Sequence, residues 1–163
     1  TVGDINEEML KHGRERAIDR GILENIRWRH GDAEDLPVED ASQDAYTTAF
    51  CIRNVTHIDR ALAEARRVLK PGGVLVSLDV GKVRLPIIAE LNNFYFFRIV
   101  PLIGNLLMPG QEMFQYLPHS SLEYPNQELL KRMMLETGFK QVEIHDFVFG
   151  ASTVHVAYKP TNN

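Results

Sequence analysis

The run Ala65-Arg66-Arg67-Val68-Leu69-Lys70-Pro71-Gly72-Gly73, followed at once by Val74-Leu75-Val76-Ser77-Leu78, constrains the fold of this chain more than any other stretch. Ile58, Leu62, Ala65, Val68 and Leu69 recur at helical spacing, which predicts a helix leading into the run. Proline blocks its continuation and glycine lets the chain reverse. The residues that follow are nearly all apolar, as in a central strand of a parallel sheet covered on both faces. A helix delivered straight into a buried strand is the repeating unit of an α/β domain, which holds its ligands at the carboxyl ends of the strands.

The rest of the chain fits that pattern. Asp4 to Leu10 opens a helix that either Asp4 or Asn6 caps and Gly21 stops. Ile26 to His30 alternates as a short strand, and Asp44 to Phe50 is rich in β-formers. Residues 85–108 are the most apolar part, with Phe94-Tyr95-Phe96-Phe97 at its centre and Pro101 and Gly104 breaking it. Asn126 to Glu136 reads as a last helix, and Val142 to Val148 with Thr153 to Tyr158 as a terminal hairpin. The 163 residues, 44% apolar and 25% charged, suit one globular domain, and a net charge of -4 with scattered Lys and Arg speaks against nucleic acid as a partner. One cysteine, Cys51, allows no internal disulfide, and six scattered histidines form no metal-ligand spacing.

Three strand ends carry polar residues. Asp4 stands where a strand hands over to a helix, and its carboxylate can cap that helix or accept both hydroxyls of a ribose. Gly31-Asp32-Ala33-Glu34-Asp35-Leu36-Pro37 is a second acidic loop. It is either solvated surface or a nucleoside contact, in which Asp32 accepts from an adenine amino group and the Ala33 backbone donates to the ring. Phe50-Cys51-Ile52-Arg53-Asn54-Val55-Thr56-His57 occupies the third strand end. Arg53 is open to an ion pair with Asp59 or another surface acid, or to a role in chemistry; His57 and His155 rank below it as candidate bases, and Cys51 reads as a small hydrophobe.

The opening run resembles class I S-adenosylmethionine-dependent methyltransferases. The string around Arg53-Asn54-Val55-Thr56 resembles one branch of them, the ubiquinone and menaquinone C-methyltransferase family of UbiE type. Asp4-Ile5-Asn6 with Met9-Leu10, Asp32-Ala33-Glu34 with Leu36-Pro37, Tyr116-Leu117 with Ser120, Pro125 with Gln127, and Gly138-Phe139 are similar as well. The resemblance covers essentially the whole chain. It departs at Ala49, where the family usually has serine, and around Tyr95 and His155, whose neighbours differ. The family's glycine-rich loop after the first strand has no counterpart, because the chain starts beyond it.

The resemblance implies a Rossmann-like methyltransferase sheet with a C-terminal antiparallel hairpin, lacking the first strand and the glycine-rich loop. It is one partial domain over residues 1–163, with an apolar substrate or dimer segment at about 84–124. In that fold the first strand lies between those ending at Asp4 and near Phe50, so two strands should face each other across a gap, and the 163 residues alone are not expected to bind cofactor normally. The implied cofactor is S-adenosylmethionine, held by Asp4, Ile5, Asp32, Ala33 and Ala49; the implied reaction is methyl transfer to a ring carbon of a polyprenylated benzoquinol or naphthoquinol. Arg53 and Asn54 are the implied catalytic residues, and Tyr95 and Tyr116 line the route for the acceptor. Implied partners are the lipophilic quinol, a second copy or a quinone-biosynthesis complex, and a membrane surface touched peripherally. The location would be the matrix face of the mitochondrial inner membrane in a eukaryote and the cytoplasm in a bacterium. Two other readings stay open: a non-catalytic scaffold or lipid-binding subunit, and a methyltransferase for another lipophilic acceptor.

Overall fold

A computed structural model describes residues 1–22, 24–100, 102–103 and 124–161, and of residues 93, 96 and 97 the backbone alone. Strand β1 (Val2–Asp4) pairs in parallel with β2 (Trp28–His30), and helix α1 (Glu7–Asp19) connects them. The Asn6 side chain caps α1 by accepting from the Glu8 and Met9 amides, while Asp4 accepts from the Asn6 amide one step earlier. Asp4 is thus not the helix cap.

Strand β3 (Gln43–Ala49) ends in a left-handed Phe50 (φ 54°) and a 3-10 turn over Ile52–Asn54. Helix α2 (Ile58–Val68) then runs directly into β4 (Leu69–Val80), which pairs in parallel with β3. Sequence pattern carries the helix one residue further and makes Pro71-Gly72-Gly73 the reversal. In the structure Leu69 is already in the strand, and residues 70–73 bulge from the ladder, so that Gln43 faces Leu69 while Ala45 faces Val74. Gly72 takes φ 79° in that bulge and donates its N–H to the Lys159 carbonyl at 3.0 Å, tying the bulge to the end of the chain.

After β4 come α3 (Pro86–Phe94), continued as a π-helical turn over Tyr95–Ile99, then α4 (Gln127–Glu136), and the antiparallel hairpin of β5 (Lys140–Phe147) and β6 (Ser152–Tyr158). The four-stranded sheet has the order β3-β4-β6-β5, and β1-β2 forms a sheet of its own. This is the mixed α/β architecture with a terminal hairpin that the sequence pattern predicts. Strand β4 lies inside the sheet and alternates fully and partly buried residues, with Leu75, Ser77 and Asp79 on its buried face. Leu62 and Ala65 of α2, Leu130 and Met134 of α4, and Phe139 close over Leu75 and Ala157 as the core. Each such large side chain contributes on the order of 1.5–3 kcal/mol through burial. Pro101, Gly104, Tyr116, Leu117 and Ser120 lie outside the described residues.

Candidate active site

Strands β1 and β3 are the facing edges of the two sheets, and a cavity of about 430 Å³ separates them. Residues of β1, of the end of β2 and of β3 line that space. Its volume falls within the roughly 300–1,000 Å³ of small-molecule sites. Five residues singled out for cofactor contact, Asp4, Ile5, Asp32, Ala33 and Ala49, all line it, as does Asn54. Thr47, Thr48, Cys51 and Thr56 complete its polar wall, and the sequence pattern marks none of them as contacts.

The acidic loop forms one side of the cavity through a set of ties to α2. Asp32 accepts from the Glu34 amide at 2.9 Å and forms an isolated bridge with Asp35, which tightens the loop upon itself. Glu34 accepts from the His57 amide at 2.8 Å, satisfying the first turn of a helix whose own N-cap side chain makes no such bond. The Leu36 amide donates to Glu64 at 2.8 Å. Arg67 then reaches over from α2 and donates to the Leu36 carbonyl (2.9 Å) and the Val38 carbonyl (2.8 Å), while gripping Glu64 through Nε and Nη2, both at 2.7 Å. The side chain of Arg67, from the run that opened the sequence reading, thus fastens a wall of the cavity. Gly31 permits the same fold-back, since a methyl group there would overlap the Pro37 ring.

Arg53 and Asn54 adjoin in sequence but part in space. The Asn54 side chain donates to the Phe50 carbonyl at 3.2 Å and borders the cavity. Arg53 is not among the residues lining the cavity; its nearly buried guanidinium lies 3.5 Å from the Asp79 carboxylate and 5.5 Å from the centre of the Phe50 ring. The alternative of an ion pair with Asp59 or another surface acid gives way to a pair with the buried Asp79 of β4. Burial raises the Asp79 pKa against the opposing effects of the Val80 amide and Arg53. The Tyr124 hydroxyl is buried nearby, and burial followed by the Asp79 charge pushes its pKa far up. Arg53 Nε, Tyr124 OH and Ser77 Oγ are buried without a hydrogen-bond partner among the described residues. Asp79 and Tyr124 carry no motif, and only the alternation of β4 hints that position 79 points inward.

The remaining candidates stand apart. Tyr95 is exposed on the π-helical turn and does not line the cavity, and Tyr116 lies outside the described residues. His155 is buried and bonds through Nε2 to the Gln127 carbonyl at 3.0 Å, which makes it a fastener between β6 and α4. The Cys51 thiol is raised in pKa mainly by loss of solvent, the opposite of what an activated nucleophile needs. Among the described residues no cluster of His, Cys, Asp and Glu could hold a metal ion.

Known proteins resemble this chain in sequence and in fold. Residues 1–159 match the model of the ubiE/COQ5 methyltransferase family. The chain is 46% identical over 159 residues to the mitochondrial 2-methoxy-6-polyprenyl-1,4-benzoquinol methylase of Mus musculus, covering 98% of this chain and 49% of the relative. It is 42% identical to the ubiquinone/menaquinone biosynthesis C-methyltransferase UbiE of Brucella canis, covering 98% of this chain and 59% of that one. The chain thus spans about half the length of the curated relatives it matches. A solved SAM-dependent methyltransferase from Thermotoga maritima superposes with a TM-score of 0.66 at 22% identity, covering 96% of this chain and 72% of that one, and so shares the fold. With a family match over nearly its whole length, the chain belongs to the ubiE/COQ5 methyltransferase family.

Proposed function

We propose that the protein transfers a methyl group from S-adenosylmethionine to a ring carbon of a polyprenylated quinol in quinone biosynthesis. One observation carries this reading: Asp4, Ile5, Asp32, Ala33 and Ala49, drawn from three separate strand ends, line a single cavity of about 430 Å³ in a chain of this family. The cavity suits an adenosine-bearing ligand at the strand ends, where the Asp4 and Asp32 carboxylates supply acceptors and the Ala33 amide a donor. Asp4 would receive the ribose hydroxyls, and Asp32 with the Ala33 amide would receive the adenine ring. The bound cofactor supplies the electrophilic methyl group.

A quinol ring carbon becomes nucleophilic as the neighbouring hydroxyl gives its proton to water, and the carbon that gains the methyl would then lose its own proton to water as the ring regains aromaticity. A guanidinium offers donors and no acceptor, so the part proposed for Arg53 is to stabilise the developing phenolate, with Asn54 holding the oxygen from the cavity side. Alignment of carbon, methyl and sulfur supplies the rest. Tyr95 and Tyr116 are proposed to border the path of the isoprenoid tail. Within the described residues no helix is long and apolar enough to cross a membrane, and the exposed Ile87, Leu91 and Phe94 of α3 offer a face for a membrane surface, a second copy or a biosynthetic complex. The proposed location is the matrix face of the mitochondrial inner membrane in a eukaryote, in line with the mitochondrial name of the mouse relative, and the cytoplasm in a bacterium. Calorimetry of the intact protein with S-adenosylmethionine, and turnover of a short-tailed 2-methoxy-6-prenyl-1,4-benzoquinol kept reduced, test the reading. Binding that Asp4→Asn weakens about tenfold, some 1.4 kcal/mol, together with turnover that Arg53→Ala lowers roughly 100- to 1,000-fold, is the expected result. Binding without turnover would favour another acceptor, and no binding a scaffold.

A further inference from the structure

We propose that Asp79 is a positioning residue of the active site, setting the direction of the Arg53 guanidinium; this rests on the catalytic role proposed for Arg53. Asp79 stands one residue from the end of β4, on the face that carries Leu75 and Ser77 into the core, and its side chain is 4% exposed. A carboxylate so placed must have partners to offset its desolvation. It has three contacts: the Val80 amide at 2.8 Å, the Arg53 amide at 3.4 Å and Arg53 Nη1 at 3.5 Å.

Asp79 therefore holds both the backbone and the side chain of residue 53. The backbone contact anchors the 3-10 turn that the left-handed Phe50 introduces, and the side-chain contact engages one edge of the guanidinium. That leaves Arg53 Nε buried and unpaired among the described residues, beside a Tyr124 hydroxyl in the same condition. A guanidinium and a hydroxyl with spare donors beside a fixed carboxylate would, on this proposal, stabilise an oxygen carrying negative charge, such as the phenolate of the acceptor. In this arrangement Asp79 touches Arg53 and not the reacting atoms.

Asp79→Asn keeps the shape and removes the charge, whereas Asp79→Glu keeps the charge. In the intact protein, with S-adenosylmethionine and the short-tailed benzoquinol, Asp79→Asn should lower kcat about 10- to 100-fold while the affinity for S-adenosylmethionine changes less than about twofold. Asp79→Glu should retain about ten times the kcat of Asp79→Asn or more, and Asp79→Asn should add nothing to Arg53→Ala, because both remove one unit. A kcat within about twofold of the parent for Asp79→Asn, or additive losses in the double variant, would overturn the inference. The Arg53 Nε–H resonance gives a readout independent of turnover: it should be slow to exchange in the parent and fast in Asp79→Asn. If Arg53→Ala alone leaves turnover intact, the catalytic reading of Arg53 fails instead, and an unchanged Nε–H resonance in Asp79→Asn then removes the positioning role too.

Discussion

Replacing Arg67 by alanine isolates the device that holds the acidic loop. The substitution deletes two bonds to loop carbonyls and the twofold grip on Glu64, along with a contact to the exposed Asp40. The Arg67 side chain is 30% exposed, so water can reach the carbonyls once it is gone. Each carbonyl bond is then worth about 1 kcal/mol, below the full value for a charged donor. The Glu64 pair adds about 1 kcal/mol, and the Asp40 contact close to nothing, as a pair with an exposed partner. The loss of about 3 kcal/mol translates into a melting midpoint lower by roughly 6–12 °C for a chain of this size. Arg67→Lys, which keeps the charge but cannot span Glu64 and the carbonyls together, should fall near the alanine variant. Urea unfolding followed by circular dichroism measures both. A loss below about 0.5 kcal/mol, or a lysine variant equal to the parent, would refute the view that hydrogen-bond geometry rather than charge secures the loop.

Other outcomes follow from the same contacts. Gly31→Ala drives a methyl into the Pro37 ring and displaces the loop bearing Asp32, so S-adenosylmethionine affinity measured by calorimetry should weaken at least about tenfold, whereas Gly21→Ala, far from the loop, should leave it unchanged. His155 is buried with its pKa held below the ordinary 6.5, first by desolvation and against the opposing Gln127 carbonyl. The unfolded chain then binds the extra proton first, so the stability this group contributes is complete above pH 6.5 and is lost as pH falls below it; urea midpoints at pH 7.5 and 5.5 should diverge, and His155→Gln should narrow the gap. The Lys70 pair with Asp44 is a solvated surface contact at 2.8 Å, and Lys70→Ala should leave the urea midpoint unchanged within error.

Strand and helix order was readable because periodicity reports burial directly: the apolar run after Gly73 did become an interior strand, and the alternating C-terminal segments did pair as a hairpin. The helix boundary at Val68 was not, since Leu69 suits both a helix stripe and a buried strand, and only the ladder with Gln43 decides between them. The acidic residues at strand ends were legible as candidates because topology brings such ends together. What α2 does for the loop was hidden, because the Arg67 bonds to Leu36 and Val38 span 31 and 29 positions. The Arg53 partner was hidden for the same reason: Asp79, 26 positions on, is brought close by the parallel pairing of β3 with β4.

The open edges of β1 and β3 bear on how this protein tolerates sequence drift. Each strand has its neighbour on the far side, so the peptide groups turned toward the cavity belong to the main chain. Every residue but proline carries the same N–H and C=O, and substitution along those strands therefore leaves that part of the wall chemically intact. Mutational sensitivity there should be uneven: proline removes a donor and is selected against, while most exchanges among small or β-branched residues pass. Ala49→Ser would be of this kind: it adds a hydroxyl to the wall and leaves the peptide groups on either side of position 49 as they are.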